Sequence, residues 1–445
     1  MAGIITQFDA QYAYEIVKTI CREVGPGLPG SPQERERAAH IQRELESHLG
    51  AGNVAVEEFP VAPWAMLSAL PLSALLLLIA AGLNISLGRF AGVPPGLTAA
   101  AALAFSILAP LPFTFLFILD YEWIDPLFKQ KQSVNVIGAL RRPGTGSVKR
   151  LLILGGHHDS ASENTWLGYL GNLKRVLVPS GPPGEAAEDA LLRVLGYAFL
   201  FATATWTFGF IVLIALSVIQ LMGVITGNAG LVRSGTLGWV LLAYPILPAS
   251  VFGLFFNRGR QNGGTVPGAA DNLAASALGV AMCRFLVNNP AYIPPETEIR
   301  FISFGSEEAG LRGSRRYVAR HLAELRRLDA RLLNFEVVAD PEIAILTSDV
   351  NGTVKNSPEM VTSVVAAAQR AGVPYRVNAS SLGGGSDAGP FSQAGLKALT
   401  LLPFKSPQQM VTFYHQKWDR PEVLSIQPLY NVLKLALEWV RNCGE

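Results

Sequence analysis

The stretch Leu151-Leu152-Ile153-Leu154-Gly155-Gly156-His157-His158-Asp159-Ser160 decides how the chain folds. Four apolar residues in a row read as a buried strand of a parallel sheet. The Gly155-Gly156 pair is expected to end that strand and let the chain turn sharply. His157 and Asp159 then stand just past the carboxyl end of the strand, where ligands and catalytic groups collect in open α/β sheets. A histidine there can bind a metal, and a carboxylate two residues on can fix its tautomer. The ordinary alternative is a hydrogen-bonded loop histidine, so the remaining sequence has to choose between the two.

Composition adds a membrane to the picture. Of 445 residues, 50% are hydrophobic and only 16% charged, with a mean hydropathy of +0.30. That is too apolar for an ordinary soluble enzyme and points to membrane spans. A net charge of +2 gives no argument for nucleic acid as a partner. Cys21, Cys283 and Cys443 are odd in number and scattered, which speaks against a disulfide framework and suits a reducing compartment. No signal peptide is visible, because Gln7, Asp9 and Glu15 interrupt the first residues.

Working outward, residues 1–60 read as the start of a soluble domain. Ser31, Pro32 and Glu34 form a helix start, and Ala38, Ala39, Ile41, Leu45 and Leu49 give that helix an apolar face. His40 and His48 read as solvated, and residues 54–59 alternate like a strand. Residues 61–125 read as a first transmembrane hairpin with apolar runs 66–83 and 97–119, Arg89 in its turn, and Trp64, Tyr121 and Trp123 as interfacial aromatics. Residues 126–170 return to the soluble domain with strands at 133–140 and 150–154. Residues 171–260 read as a second insert: a Pro/Gly-rich link at 179–184, then apolar runs 196–225 and 235–256 with Arg233 between them. Residues 261–445 complete the soluble domain, with helices at 271–287, 311–328, 357–371 and 421–440 and strands at 298–304, 332–338 and 398–402. The expectation is an α/β three-layer sandwich with a mostly parallel mixed central sheet, plus a four-helix transmembrane region from two inserted hairpins.

Four further groups stand at strand ends or in loops: Gly268-Ala-Ala-Asp271-Asn272, Gly305-Ser306-Glu307-Glu308-Ala-Gly310, Leu333-Asn334-Phe335-Glu336, and Tyr414-His415 followed by Asp419. Singly, each has a plain reading: solvated glutamates, an Asp271 helix cap, a Glu336 paired with an arginine, a His415 packed on Trp418. Together, two histidines and several carboxylates at the rims of one sheet are a ligand set for a pair of zinc ions. A bridging carboxylate offsets the repulsion of two close cations, and one carboxylate must stay unligated to take a proton from the water they activate.

In chain order these pieces resemble the co-catalytic zinc exopeptidases, a family that includes bacterial leucyl aminopeptidases and glutamate carboxypeptidases. The resembling segments are Gly-Gly-His157-His-Asp159-Ser, Gly-Ala-Ala-Asp271-Asn, Phe-Gly-Ser-Glu307-Glu308-Ala-Gly-Leu-Arg-Gly-Ser, Leu-Asn-Phe-Glu336, Gly-Ser386-Asp387 with Pro390-Phe391, and Tyr-His415 with Asp419. The resemblance implies that His157 and Glu336 bind one zinc, that Glu308 and His415 bind the other, and that Asp271 bridges the two. It makes Glu307 the general base, Asp159 the partner of His157, and Asp387 a structural loop aspartate near the pocket. Two departures stand out. Glu336 replaces the family's usual aspartate, which bears on how many zinc ions are held, and His158 replaces an aromatic or apolar residue and reads as pocket wall. The spacing is the larger departure: His157 and Asp271 lie 271 − 157 = 114 positions apart, where the family has a short loop. The second hairpin is therefore spliced between two ligands, and the catalytic mouth is expected close to the bilayer.

The resulting expectation is a membrane-embedded zinc metallopeptidase that takes peptides from one end, an aminopeptidase in the first instance. A carboxypeptidase or a glutaminyl cyclase-like acyltransferase is the alternative on the same fold, and a non-catalytic membrane scaffold is the alternative of another class. Partners are a peptide substrate, the lipid bilayer and, through the membrane helices, a second copy of the chain. Lys129, Lys131, Lys174, Arg175, Arg193, Arg258 and Arg260 on the domain side outnumber Arg89 and Arg233 in the hairpin turns, which predicts a cytoplasmic catalytic domain.

Overall fold

The apolar run at Leu151 forms a strand that continues through both glycines to His157. Gly155 and Gly156 do not turn the chain, as the sequence suggested; they make room. A Cβ on Gly155 would lie 2.9 Å from the Phe304 ring and 3.2 Å from Leu332. One on Gly156 would run into Ala275 and lie 3.3 Å from the Phe335 carbonyl oxygen. The two glycines let neighbouring elements close in on the strand that presents His157.

The computed structural model describes residues 4–87, 92–144, 146–177, 185–255, 264–379, 384–405 and 408–443. Arg89, the link at 179–184, Arg258, Arg260 and the end of the fourth apolar run at residue 256 lie outside the described residues. The chain divides into two compact units, one made of Met1–Pro63, Trp123–Glu163 and Gly263–Glu445, the other of Trp64–Glu122 and Asn164–Asn262.

The first unit is an α/β sandwich. Its strands are β1 (Val54–Val61), β2 (Lys131–Arg141), β3 (Arg150–His157), β4 (Thr297–Phe304), β5 (Arg331–Phe335), β6 (Ile343–Leu346), β7 (Ser348–Asp349), β8 (Val354–Lys355), β9 (Tyr375–Asn378) and β10 (Lys397–Leu402). Eight of them form one sheet in the order β1-β2-β4-β3-β5-β10-β6-β9. The centre is parallel: β3 pairs with β4 and β5, and β5 with β10. The sheet is mixed because β1 and β2, β2 and β4, and β10 and β6 run antiparallel. The alternating pleat serves two layers. Leu151, Ile153, Ile302, Phe304 and Leu332 pack with Tyr317, Val318 and Leu325 of the helix Arg312–Arg327. The helix Ala274–Asn288 covers β3 and β4, and the helices Gln7–Glu23, Pro32–Leu49 and Ile426–Asn442 pack against it.

Several local readings change. Glu336 follows β5 rather than lying inside it. An irregular turn, Ala269–Leu273, precedes the helix at Ala274 and carries Asp271. The helix Gln7–Glu23 and the short strands β6 and β9 were not anticipated; four-residue strands give no usable periodicity. His48 is not simply solvated: its Nε2 lies 2.9 Å from the Tyr12 hydroxyl, and burial lowers its pKa.

The second unit is helical. Its helices include Ala69–Ile85, Pro95–Leu108, Glu185–Thr226 and Ala229–Phe255. After Pro110–Pro112 the second of these segments widens into a π-type turn, Phe113–Ile118. The Phe113 amide donates to Ser73 Oγ at 3.1 Å, a rescue for backbone that proline has disturbed. Leu77, Ala80, Ala109, Phe210, Leu213, Trp239 and Ile246 form its core. Gln220 Nε2 donates to the Asn84 carbonyl and to Thr236 Oγ1, both at 2.8 Å. Among the described residues four helices are long and apolar enough to cross a membrane: Met66–Ile85, Pro95–Ile118, Gly209–Thr226 and Ala269–Asn288. The last belongs to the first unit, and 89% of its apolar window is buried; the sheet it covers accounts for its composition. The expected run 235–256 falls instead on the 27-residue helix Ala229–Phe255.

Gly156→Ala tests the role of the close approach at β3. The variant should lose about 1–3 kcal/mol of stability, the usual cost of overpacking, read as a lowered denaturation midpoint in detergent. An unchanged midpoint would mean that β3 has slack at this position.

Candidate metal centre

Parallel strands deliver their carboxyl ends to one edge, and three site segments start there. β3 ends at His157 opposite Phe304, the last residue of β4. Glu307 and Glu308 follow β4 in a short 3-10 turn, and Glu336 follows β5, its amide bonded to the Leu401 carbonyl at 2.9 Å. The turn Ala269–Leu273 supplies Asp271, and the loop after β10 supplies His415.

The side chains converge. Asp271 lies between the two histidines: Oδ1 is 3.5 Å from His157 Nε2 and Oδ2 is 3.1 Å from His415 Nε2. His157 Nε2 is also 3.2 Å from Glu336 Oε1 and 3.7 Å from Glu307 Oε2. His415 Nε2 is 3.3 Å from Glu308 Oε1. Two tetrahedral zinc ligands, each about 2.0–2.1 Å from the ion, stand about 3.3 Å apart, so these separations suit atoms that share an ion. Among the described residues, His157, Asp271 and Glu308, and likewise His157, Glu307 and Glu336, bring their ligand atoms within 4.8 Å of one another. Asp271 Oδ2 and Glu308 Oε1 are buried and both crowd the single nitrogen His415 Nε2, at 3.1 and 3.3 Å. A cation is the partner such oxygens need. The nitrogen and oxygen donor set and the two-sided Asp271 therefore fit zinc.

A surrounding layer holds these groups in place. Asp159 lies 3.2 Å from His157 Nδ1 and accepts the backbone N–H groups of Glu307 and Glu308, each at 3.0 Å. One carboxylate thus orients a histidine and fixes the glutamate turn. Asp419 accepts the N–H groups of Ala270 at 2.8 Å and Asp271 at 3.0 Å. Asn272 Nδ2 donates to Glu336 Oε1 at 3.1 Å, and Asn334 Nδ2 lies 3.4 Å from Glu336 Oε2. His158 stands in neither ligand grouping; its Nδ1 bonds Ser303 Oγ at 2.8 Å, and burial pushes its pKa down to about 4. Asp387 is buried; desolvation pushes its pKa up to about 7. Tyr414 stacks on the His415 ring with centroids 3.9 Å apart.

The charges are strongly coupled. Burial opposes a charged His157, yet Glu307, Glu336, Asp159 and Asp271 hold its pKa well above the ordinary histidine value. His415 behaves alike: burial opposes the charge, and Glu308 and Asp271 raise its pKa to about 10. Burial pushes Glu336 up to about 8 and Glu307 well above the usual carboxylate range. Asp271 is held low by the two histidines against the effect of burial. Burial and the charges of Asp271, Glu308, Glu307 and Glu336 hold the Tyr414 phenol well above its usual value, so Tyr414 remains a hydrogen-bond donor.

Sequence reasoning reads Glu34 only as a helix-start residue, passes over Arg37 and gives no role to Asp419, Asn272 or Tyr414. Glu34 and Arg37 had a readable signal: on a helix they share the face of Ala38, Ile41 and Leu45, where charged residues are out of place unless they have buried partners.

Residues 257–440 match the description of peptidase family M28. The chain is 30% identical over 176 residues to Aminopeptidase YwaD of Bacillus subtilis (strain 168), a stretch covering 39% of this chain and 34% of that protein. The chain thus spans about a third of the length of this curated relative. Among solved structures it is similar in fold to BSAP, a zinc aminopeptidase from Bacillus subtilis, with a TM-score of 0.51 and 15% identity, covering 98% of this chain and 96% of the other. It is equally similar to a glutaminyl cyclase from an Acidobacteriales bacterium, with a TM-score of 0.51 and 12% identity, covering 99% and 96%.

Zinc added after chelation should raise the unfolding temperature of the first unit's transition, by the equivalent of about 2.7 kcal/mol at a hundredfold excess over Kd. Zinc has to displace protons from His157 and His415, so the increase should be larger at pH 8 than at pH 6. An equal unfolding temperature with zinc and with chelator would remove the metal assignment.

Proposed function

We propose, from the match of residues 257–440 to peptidase family M28, that the chain is a zinc-dependent aminopeptidase anchored in a membrane by the helices of its second unit. One observation carries the reading: Asp271 offers one oxygen to the side of His157 and Glu336 and the other to the side of His415 and Glu308. That is the geometry of a carboxylate bridging two ions. Bound zinc would polarise the scissile carbonyl and acidify the attacking water.

The chain's own groups account for the rest. Glu307 is the general base. Its backbone is fixed by Asp159, and its carboxylate stands 3.7 Å from His157 Nε2, farther than Glu336. A carboxyl with a raised pKa can take a proton from water and return it to the departing amine. The strongest electrostatic influences on Glu307, Glu308 and Glu336 come from His157, His415 and neighbouring carboxylates. Asp159, Asp271, Glu307, Glu308 and Glu336 carry five negative charges, and two dications offset four of them. This balance favours a substrate's ammonium group over its carboxylate, which supports aminopeptidase over carboxypeptidase action.

Glu307→Gln should keep its zinc and lose about 10²–10⁴-fold in kcat on a free-amine dipeptide. A panel with a blocked amine, a blocked carboxylate and an amino-terminal glutamine separates aminopeptidase, carboxypeptidase and cyclase action. Wild-type turnover by Glu307→Gln would refute the base assignment, and cleavage that persists with a blocked amine would refute the aminopeptidase reading.

We also assign the catalytic unit to the cytoplasmic side, on the bias of Lys129, Lys131 and Arg193 outside the apolar runs against Arg233 between the last two of them, in the first turns of the helix Ala229–Phe255. Protease added to intact cells should leave the first unit whole and should cut it in lysates. Digestion in intact cells would place it outside.

A further inference from the structure

We propose that Glu34 and Arg37, on the helix Pro32–Leu49, are positioning residues of the metal centre. They clamp the loops that carry Asp159, Asp271, Glu307 and Glu308, and the inference rests on the zinc reading above. Both side chains are buried, at 1% and 0% exposure, and they stand three residues apart on the face that also buries Ala38, Ile41 and Leu45. A face that only packed a core would carry apolar residues here, because burying ions is costly without dedicated partners.

The partners are loops of the site. Glu34 Oε1 accepts the Ser306 backbone N–H at 2.7 Å, the Ser306 hydroxyl at 2.7 Å and the Ser133 hydroxyl at 2.9 Å. Its Oε2 accepts the Gly30 N–H at 2.7 Å. Ser306 has a left-handed backbone, with φ of 52°, and is the residue immediately before Glu307. The Glu34 carboxylate therefore fixes the turn that aims Glu307 and Glu308.

Arg37 works on the other side. Its Nη1 donates to the His158 carbonyl at 3.1 Å, between His157 and Asp159. Its Nη2 donates to the Pro267 carbonyl at 2.6 Å, four residues before Asp271. Nε and Nη2 donate to the Gly25 carbonyl at 2.8 and 2.5 Å. A planar fork of donors can tie three loops at once, which a lysine cannot. Gly27 leaves the passage for this arm: a Cβ there would lie 2.6 Å from Arg37 Cδ. The same glycine exchanges hydrogen bonds with Ser160, next to Asp159, through its N–H at 3.0 Å and its carbonyl at 2.9 Å.

The test compares zinc affinity, by competition with a chelator, in the full-length protein in detergent. Glu34→Gln turns one acceptor oxygen into a donor that faces a donor. Arg37→Lys keeps the charge and loses the fork. Leu45→Ala, on the same helix and 1% exposed, is the control for stability loss alone. We expect Glu34→Gln and Arg37→Lys to bind zinc about 10–100-fold more weakly, the usual effect of disturbing the groups behind metal ligands, with helicity retained. Leu45→Ala should bind zinc as the unaltered protein does while unfolding at a lower temperature. Glu34→Asp replaces Glu34→Gln if the latter does not fold. Unchanged affinity in the folded Glu34 and Arg37 variants, or an equal loss in Leu45→Ala, would overturn the inference and leave the zinc reading standing. Absence of zinc binding by the unaltered protein would remove both.

Discussion

The structure depends on how a buried cluster of like charges is kept together. Asp271, Glu307, Glu308 and Glu336 point at one small volume, where His157 and His415 are their close cationic partners among the described residues. Two carboxylates about 4 Å apart repel by about 4 kcal/mol at the effective dielectric near a protein surface. The raised pKa values of the two histidines and of Glu307 and Glu336 mean that, without a metal, protons offset this cost. Divalent cations meet it better, because each replaces several partial neutralisations with direct bonds. The crowding of Asp271 Oδ2 and Glu308 Oε1 on the single nitrogen His415 Nε2 is the geometric form of the same demand.

Such a cluster holds its shape only if rigid elements set its backbone. The parallel centre of the sheet places His157, Glu307 and Glu336 at one edge. Asp159 and Asp419 then tie the intervening turns through backbone N–H groups. Gly155 and Gly156 let β3 sit deep between its neighbours. Charged side chains thus act at two levels: some face the ions, and others fix the loops those groups stand on. The second segment of the helical unit, Asn164–Asn262, enters the chain between His157 and Asp271 without interrupting the sheet order.

Much of this was legible in the sequence. The apolar strands that end in His157 and before Glu307 announced themselves through four or more consecutive buried residues, and the mixed α/β sheet followed from their alternation with helices. The resemblance to zinc exopeptidases agrees with the match of residues 257–440 to peptidase family M28, and the structure brings His157, Asp271, Glu307, Glu308, Glu336 and His415 together. What escaped reading has physical reasons. The glycines looked like a turn because sequence shows a missing side chain but not what fills the space. β6 and β9 are too short to show a period. Glu34 was taken as a helix-start residue, since its local position gave a sufficient reason for it; its buried bonds reach Ser133 and Ser306, far along the chain. The core helix Ala269–Asn288, which hydropathy alone would pass as a membrane span, reads correctly as a helix of the soluble domain.

The most direct test of the central claim is an anomalous-scattering crystal structure at the zinc absorption edge. The account predicts two peaks about 3.5–4 Å apart, one bonded to Asp271 Oδ1 beside His157 and Glu336, the other to Asp271 Oδ2 beside His415 and Glu308. A map with no peak within bonding distance of Asp271 in zinc-loaded protein would contradict it.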